Sequence, residues 1–482
     1  MFSKSILAMT INLNQNKNLK LFKIISEVAA ENNQTVYVVG GYVRDLLMGR
    51  KAPTDIDFVT EQNGIDLAQK IANAINPSLK VSVFKTYGTA MFKYNDLDLE
   101  FVGARKESYS EDSRKPAVEN GSLEDDQRRR DFTINAMAIS LNKDNFGELI
   151  DPFEGQKDLS KKILRTPLEP LQTYSDDPLR MMRAIRFAST LEFSIEENSL
   201  NAIKEEAERI KIVSMERIMV EFNKIMLSPK PSVGLGLLEK TGLLERIIPE
   251  LVALKGIEEV EGQTHKDNFY HTLEVVDNIS VNTDKLWLRW AALFHDIGKA
   301  PTKKFVQGIG WTFHGHEFLG SKMVKSLFQR LKLPLGPDMK YVQKMVKLSS
   351  RPIALITDDT SDSALRRLLF DANIDLEDLF TLCKADITTK NSSKQNKFKK
   401  NFEYVARKIK EVEEKDQVRN FQPPISGEEI MAIFDLKPGR EIGILKEKVK
   451  EAILEGDIEN DADQARTFVI QEAEKIGLSP VQ

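Results

Sequence analysis

Residues 35–41 (TVYVVGG) form a β-branched run closed by paired glycines, and YVRDLLMGR behind them carries apolar residues at helical spacing. This pattern predicts a strand, a tight turn and a helix. Further strands are predicted at 55–59, 81–84, 90–94 and 98–103, so the first part is expected to be α+β around a small sheet. From Glu107 to Asp126 the chain is polar, charged and poor in apolar residues, which reads as a mobile surface loop. Beyond about residue 160 the period becomes helical, with long segments at 178–191, 197–209, 214–227, 286–294, 316–332, 338–349 and 400–414. An all-α remainder is expected, with joints where Pro and Gly gather at 228–236 and 421–427.

Composition narrows the class. A chain of 482 residues exceeds what one core organises, and 41% apolar content fills two to four domains. Cys383 stands alone, which excludes a disulfide framework and a zinc ribbon and fits a reducing compartment. No apolar run approaches the roughly 20 residues that span a bilayer. The opening MFSKSILAMTINLNQNK has too short an apolar stretch and no convincing cleavage site, so a cytoplasmic protein without membrane partners is expected. The net charge of −4 confines nucleic-acid contacts to local patches. Arg128-Arg129-Arg130 is one such patch. The other is the stretch from Lys390 to Lys410 with Phe398, Phe402 and Tyr404 interleaved, although a lysine run is by itself more often a solvated helix face.

Two groups of residues carry candidate chemistry. In Gly40-Gly41-Tyr42-Val43-Arg44-Asp45 the glycines let backbone approach a ligand, the following helix offers amides to an anion, and Arg44 can add a charged fork. A purely structural turn explains that motif equally well. Asp55-Ile56-Asp57 sharpens it. In a strand, residues i and i+2 point to one face, so the two carboxylates converge there and can share hard cations such as Mg²⁺. A surface DxD in a polar loop is the competing explanation.

These residues sit in GGYVRDLLMGRKAPTDIDFV, which resembles the signature of the class II tRNA nucleotidyltransferase and bacterial poly(A) polymerase family. Further blocks follow in the family's order: Glu124-Asp125-Asp126 before RRRDFTINAMAI at 128–139, DDPLRMMRAIRFA at 176–188, and MERIMVEFNKIM at 215–226. The resemblance implies an α+β, polymerase β-like nucleotidyltransferase head with a small mixed sheet at 1–160. A helical neck at 161–264, an HD region at 265–395 and a helical tail at 396–482 would follow. It also implies that Asp55 and Asp57 hold Mg²⁺, with Glu100 as a third carboxylate, and that Arg130, Asp131 and Asn135 serve the nucleotide together with Gly40, Gly41 and Arg44.

The block at 176 has a physical reading of its own. On a helix, positions i and i+3 share a face, so Asp177 and Arg180 present an acceptor beside a set of donors. Cytosine and adenine each expose an amino donor next to a ring-nitrogen acceptor, whereas uracil and guanine place a carbonyl where the amino group sits. Such a pair accepts CTP and ATP and rejects UTP and GTP, because a wrong base leaves buried groups unpaired. An ordinary i,i+3 salt bridge is the alternative. In the family this pair acts as a protein template, and Arg183 and Arg186 match phosphate-contacting positions. The family pattern begins with Glu where this chain has Asp176, one methylene shorter.

All five histidines lie between 265 and 316. His271 opens HTLEVVDN, His295-Asp296 stand in ALFHDIGKAPTKK, and His314 and His316 fall in FHGHE. This resembles the HD metal-dependent phosphohydrolase superfamily, which implies a divalent-metal site of His271, His295, Asp296 and Asp386, with His316 for a second metal. Lys299 reads equally as a contact to a phosphate of that substrate and as a solvated helix end. A metal shell kept as a fold element without turnover is the competing reading.

The expected function is therefore addition of CCA to tRNA 3′ ends from CTP and ATP by two-metal, template-independent in-line attack, releasing pyrophosphate. Poly(A) polymerase and partial A- or CC-adding enzymes share most of these motifs. The long polar stretch before RRRDFTINA counts against a CC-only enzyme, whose branch characteristically shortens that region. A different class, an HD phosphohydrolase acting on nucleotides or cyclic phosphates, is disfavoured as the main activity by the intact head blocks. A non-catalytic RNA-binding protein predicts loss of Asp55 or Asp57, and both are present.

Overall fold

The computed structural model describes residues 10–51, 53–110, 113–355, 361–388, 392–416 and 422–481. The chain divides into two compact units, Met1–Pro249 and Glu250–Gln482.

The first unit is organised by one sheet. Its strands are β1 (Tyr37–Val39), β2 (Asp55–Thr60), β3 (Ser82–Phe84), β4 (Thr89–Tyr94) and β5 (Leu97–Gly103). After a separate hairpin of β6 (Arg105–Ser110) and β7 (Ser113–Asn120), the sheet is completed by β8 (Ala138–Ser140) and β9 (Leu149–Ile150). The order is β3-β4-β5-β2-β1-β8-β9. Only β2 and β5 run parallel, so the sheet is mixed. Alternation along β2 and β5 sends Ile56, Phe58, Leu99 and Phe101 into the core, where Phe58 stacks on Phe101 at 4.6 Å between centroids. Helices Leu19–Glu31 and Gly64–Ile75 supply the other half of that core, through Phe22, Ile25, Leu67 and Ile71 among others. One face of the sheet is thereby covered, and the alternate residues of β2 and β5 are left pointing the other way.

All five strand segments expected in the head are present. The stretch from Glu107 to Asp126, expected as a mobile loop, instead forms the β6–β7 hairpin and the helix Leu123–Arg128. Backbone ladders need no apolar side chains, and the helix is started by a capping box in which Ser122 and Asp125 exchange hydrogen bonds. The joint expected at 228–236 is the break between helix Met215–Met226 and the next helix, and it ends at Lys230. Pro231 occupies the first position of the helix Pro231–Lys240, where its fixed φ and missing N–H are tolerated. The segment expected at 197–209 is helical to Glu206 and continues as a 3₁₀ turn, Ala207–Ile212.

Among its described residues the second unit is helical apart from two short hairpins, Glu259–Val260 with Gln263–Thr264 and Lys304–Val306 with Gly310–Thr312, which depart from the all-α expectation. Helices Asn268–Ser280, Leu286–Phe294, His316–Arg330, Pro337–Leu348 and Leu376–Asp386 form its core, and Gly427–Phe434, Arg440–Glu455 and Ala462–Glu474 follow. In the basic stretch, Lys390 and the side chain of Phe398 lie outside the described residues. Phe402 is buried edge-on against Phe380 at 6.1 Å, so it is a core residue of helix Ser392–Asp416 and not a free base-stacking ring; Tyr404 is exposed. Among the described residues, no helix is long and apolar enough to cross a membrane.

Candidate active site and candidate metal centre

In the head, the site is built on the uncovered face of the sheet. Asp55 and Asp57 stand opposite Asp98 and Glu100 in the parallel register of β2 and β5, so four carboxylates share this face. Partial desolvation pushes the Asp57 carboxyl up, with Arg130 opposing and Asp55 and Asp126 adding to the effect. Glu100 is raised by the same desolvation and then by Asp57. Oxygen donors of one sign gathered on one face are the donor set a hard divalent cation satisfies.

Gly40 connects β1 to helix Gly41–Leu47 at φ 75°. A methyl group there would lie 2.9 Å from Arg130 Nη1, so glycine serves both the turn and the approach of Arg130. Arg44 does not extend its fork freely. It is buried, its Nε and Nη2 donate to the two oxygens of Asp45 at 2.8 and 2.9 Å, and Nη1 donates to Asn135 Oδ1 at 2.8 Å. Asn135 in turn donates to Asp131 Oδ1 at 3.0 Å, and Asp131 Oδ2 accepts from Arg183 Nε at 2.7 Å. Burial alone would raise Asp131, but Arg183 and Asn135 hold it below the usual carboxylate range. Arg44, Asn135, Asp131 and Arg183 thus form one continuous network. Phe187 supports it from below, with the guanidinium groups of Arg44, Arg183 and Arg186 at 5.0, 5.5 and 3.7 Å from its ring centre. Arg186 is anchored away from this network by Glu221 at 2.6 Å, and burial lowers it to about 10.

Asp177 and Arg180 are not one turn apart on a helix. Asp177 is extended, at φ −136° and ψ 95°, and caps the end of helix Pro170–Asp176; helix Leu179–Leu191 begins after Pro178. The residue before a proline is disfavoured in the α region, which explains the break. Asp177 Oδ1 accepts from Leu179 N at 3.3 Å. Arg180 is braced through backbone, its Nη2 donating to Arg129 O at 2.5 Å and its Nη1 to Thr173 O at 3.3 Å.

The second unit gathers the other constellation. His271 comes from helix Asn268–Ser280, whose N-terminus is capped by Asp267. His295 and Asp296 follow helix Leu286–Phe294, His316 opens helix His316–Arg330, and Asp386 ends helix Leu376–Asp386. His271 Nε2 lies 2.8 Å from Asp386 Oδ1, His295 Nε2 lies 3.4 Å from the same oxygen and 3.3 Å from Asp296 Oδ2, and His316 Nε2 lies 3.5 Å from Asp296 Oδ1. Among the described residues, three donor atoms converge within 4.8 Å at His271, His295 and Asp386. The head carboxylates share a face without that degree of convergence.

His295 Nδ1 is engaged with Ala292 O at 2.8 Å, while its buried Nε2 has no partner in hydrogen-bond geometry. An orphaned imidazole nitrogen between two carboxylates fits a divalent metal ion. Burial acts to lower His295, but Asp296 and Asp386 outweigh it and push it up to about 10; both carboxyls are held well below their ordinary range by the imidazoles. Gly298 of HDIGK is required by space, since a methyl group there would run into the His316 carbonyl. His314 is exposed, and His265 accepts from Glu258 N at 3.2 Å, so neither belongs to this cluster.

A family model of the poly A polymerase head domain matches residues 36–165, one of the probable RNA and SrmB-binding site of polymerase A matches 192–254, and an HD domain matches 268–389. An A-adding tRNA nucleotidyltransferase of Deinococcus radiodurans is 33% identical over 73% of this chain and 80% of its own length. The chain belongs to the tRNA nucleotidyltransferase family. It is therefore an enzyme of nucleotidyl transfer carrying an HD domain. A solved tRNA nucleotidyltransferase complexed with a primer tRNA and an incoming ATP analog aligns with a TM-score of 0.57 at 26% identity, covering 80% of this chain and 99% of that one. The Bacillus stearothermophilus CCA-adding enzyme in complex with CTP shares the fold, with a TM-score of 0.64 at 23% identity over 95% and 98% of the two chains.

Several residues of this family member escaped the sequence reading. Asp126 is wholly buried and receives both Arg129 and Arg130, the latter at 2.9 Å; its spacing of three and four from those arginines was the available signal. Asp45 and Phe187 adjoin Arg44 and Arg186, the arginines they contact, whereas Glu221 reaches Arg186 from a separate helix. Lys266 Nζ lies 2.7 Å from His271 Nδ1, and nothing in its sequence context marked it.

Proposed function

We propose that this enzyme adds CCA to the 3′ ends of tRNA from CTP and ATP, releasing pyrophosphate. The observation that carries the reading is that Arg180, three residues after Asp177, has its guanidinium held by backbone at Arg129 O and Thr173 O. A donor fixed by backbone does not depend on the incoming base, and one acceptor beside it suits the amino group and ring nitrogen common to cytosine and adenine. The relatives whose names or complexes involve tRNA, CTP and an ATP analog support the same substrates here.

Asp55 and Asp57, with Glu100 beside them, would hold Mg²⁺. When bound, the ions supply charge neutralisation at the α-phosphate and acidity at the RNA 3′-hydroxyl. The 3′-oxygen forms a bond to the α-phosphorus, the bond to the pyrophosphate oxygen breaks, and the hydroxyl proton passes to solvent. Arg130, Asp131, Asn135, Arg44 and Arg183 hold the nucleotide's sugar and phosphates, with positioning and electrostatics as the catalytic contribution. The working segments are a head at 1–160, a neck at 161–264, an HD region at 265–395 and a tail at 396–482. Cys383, a buried thiol donating to Ser349 O, fits a reducing compartment, and we place the reaction in the cytoplasm.

The test uses Mg²⁺ and tRNA transcripts ending before CCA, at C and at CC, with CTP and ATP supplied separately and together. Growth that stops after CCA and disappears in Asp55→Ala supports the proposal. Extension only of the CC transcript would assign an A-adding enzyme, and long A-tails a poly(A) polymerase.

A second reading concerns the HD site. The orphaned His295 Nε2 between Asp296 and Asp386 favours a metal-dependent phosphohydrolase there, with His271 and Asp386 completing the donor set and His316 serving a second ion. Release of phosphate from a phosphoester that requires a divalent ion and is lost in His295→Ala would support it, and its absence with every divalent ion tried would refute it.

A further inference from the structure

Away from the histidine–aspartate cluster, the second unit holds a cavity of about 790 Å³ lined from the starts of helices Leu286–Phe294, Pro337–Leu348 and Leu376–Asp386 and from the turn Asn373–Asp375. That volume lies within the roughly 300–1,000 Å³ of small-molecule sites. Lys285, on its wall, precedes helix Leu286–Phe294, and His295 follows it, nine residues on. At 1.5 Å per residue the two ends are roughly 14 Å apart, so the cavity is a separate site.

Its apolar lining is Leu286, Trp287, Leu288 and Pro337, with Trp287 also packed on Phe328 at 5.6 Å between centroids. Three ammonium groups (Lys285, Lys340, Lys344) and three carboxylates (Asp338, Asp375, Asp378) complete it. Lys285 Nζ donates to both oxygens of Asp378 at 2.8 and 2.9 Å, and the Tyr341 hydroxyl donates to Asp378 Oδ2 at 2.7 Å. Burial and Asp378 push that phenol well above its ordinary pKa, so it stays a donor. Lys344 pairs with Asp375 and donates to Ala372 O at 3.2 Å. Beside Asp375, Asn373 is held at φ 51° and ψ −126° with its side-chain oxygen buried and unpartnered, and Ile374 is 79% exposed. Backbone held in so sparse a region gathers at ligand clamps.

The lining discriminates between ligand classes. A simple anion would meet three carboxylates, a simple cation three ammonium groups, and an alkyl chain would cover fixed ion pairs without offering them a partner. A flat uncharged ring with donors and acceptors along its edge meets every group: Trp287 takes its face, Asp378 its donors, and Lys285 and Lys344 its acceptors. We propose that this cavity holds an unstacked nucleobase, its face on Trp287, its edge toward Asp378 and Lys285, and its phosphate toward the exposed Lys340. No bond forms or breaks there. The chemistry is common to a splayed-out base of an RNA substrate and to a free nucleotide. The RNA source rests on the tRNA substrate proposed above; the binding of a base does not.

The experiment uses the full chain under chelation, so that neither metal-type site turns over. The probes are a tRNA transcript ending at CC, adenosine 5′-monophosphate, and ribose 5-phosphate as the base-free comparator, and binding is read by tryptophan fluorescence. A base-bearing probe should quench saturably, ribose 5-phosphate should not, and Trp287→Phe, which keeps an aromatic face, should lose the quench. Lys340→Glu should weaken binding of the same probe at low ionic strength and less at high. Steady-state extension with Mg²⁺ then names the source. For a tRNA base, Trp287→Ala should raise the KM for tRNA roughly 5- to 150-fold with kcat unchanged, the scale of one base–aromatic stack, and Trp287→Phe should restore it. For a free nucleotide, adenosine 5′-monophosphate quenches and the KM for tRNA does not move. Quenching that is the same in Trp287→Phe as in the wild type with every probe, or as strong with ribose 5-phosphate as with the base-bearing probes, overturns the proposal. If no tRNA is extended, the function proposed above fails while the Trp287 quench still decides this site.

Discussion

Asp126 offers the sharpest test of how the head site is held together. Its carboxylate is wholly buried and receives two guanidinium groups, from Arg129 and Arg130, whose side chains are 20% and 16% exposed. Asp126→Asn keeps the shape and removes the charge, leaving two cations without their shared counter-ion. Breaking a buried pair in this way costs about 3–5 kcal/mol, and the partial exposure of the arginines places the expectation at about 3. For a unit of this size that is a loss of roughly 6–12 °C in melting temperature. Burial alone would raise Asp126, but the two arginines hold it below the ordinary carboxylate value. A carboxyl with a depressed folded pKa stabilises above its unfolded value near 4 and loses that contribution as the pH falls further, so the wild-type advantage should disappear in acid. The same substitution reaches the base-reading arginine, because Arg129 O accepts from Arg180. Thermal melts from pH 3 to 7 and the rates of CTP and UTP incorporation measure both arms. A destabilisation under about 1 kcal/mol at pH 7 would place Asp126 among ordinary surface pairs and refute the reasoning.

Gly298→Ala should destabilise the second unit by about 1–3 kcal/mol through overpacking against the His316 carbonyl. By displacing His316 and Asp296 it should also weaken divalent-ion binding about tenfold or more in calorimetry; unchanged affinity would show that the HDIGK turn does not set the site. In metal-free protein, His295 is raised above its ordinary value to about 10, so its stabilising charge is fully present below about pH 6.5 and is lost as the pH rises through 10. Melts under chelation should therefore fall more steeply from pH 7 to 10 in the wild type than in His295→Gln, and a saturating divalent ion should flatten the difference. Equal slopes in the two proteins would contradict this assignment. Asp57→Asn should lower nucleotide addition at least about a hundredfold while leaving the melt within a few degrees or raising it, because its carboxyl is a strained one in the ion-free site.

The legible parts of this chain were those in which chemistry and periodicity coincide. Asp55 and Asp57 alternate with Ile56 and Phe58, so the same four residues announced a strand, its buried face and its site. The five histidines fell within one short region, and helix ends brought His271, His295, Asp296, His316 and Asp386 together. What stayed hidden depends on partners distant in sequence. The β6–β7 hairpin is held by backbone pairing that its polar composition does not reveal. Phe402 looked like an interleaved aromatic in a basic run, yet Phe380 buries it. The extended Asp177 was readable in principle from Pro178, but helical spacing on both sides masked the break. Arg180 could be recognised as a donor, whereas its bracing by Arg129 O required the folded head.

The central claim is that one Asp177/Arg180 pair reads both cytosine and adenine. Single-turnover incorporation of CTP, ATP, UTP and GTP onto tRNA ending before CCA, at C and at CC tests it most directly, in the wild type and in Arg180→Ala. The account predicts that the wild type takes C, C and then A, and that the variant loses discrimination against UTP and against GTP together, by roughly 10- to 100-fold each, as expected when a buried hydrogen-bonding partner is removed. Loss of selectivity for one base with the other untouched, or unchanged selectivity for both, would contradict it.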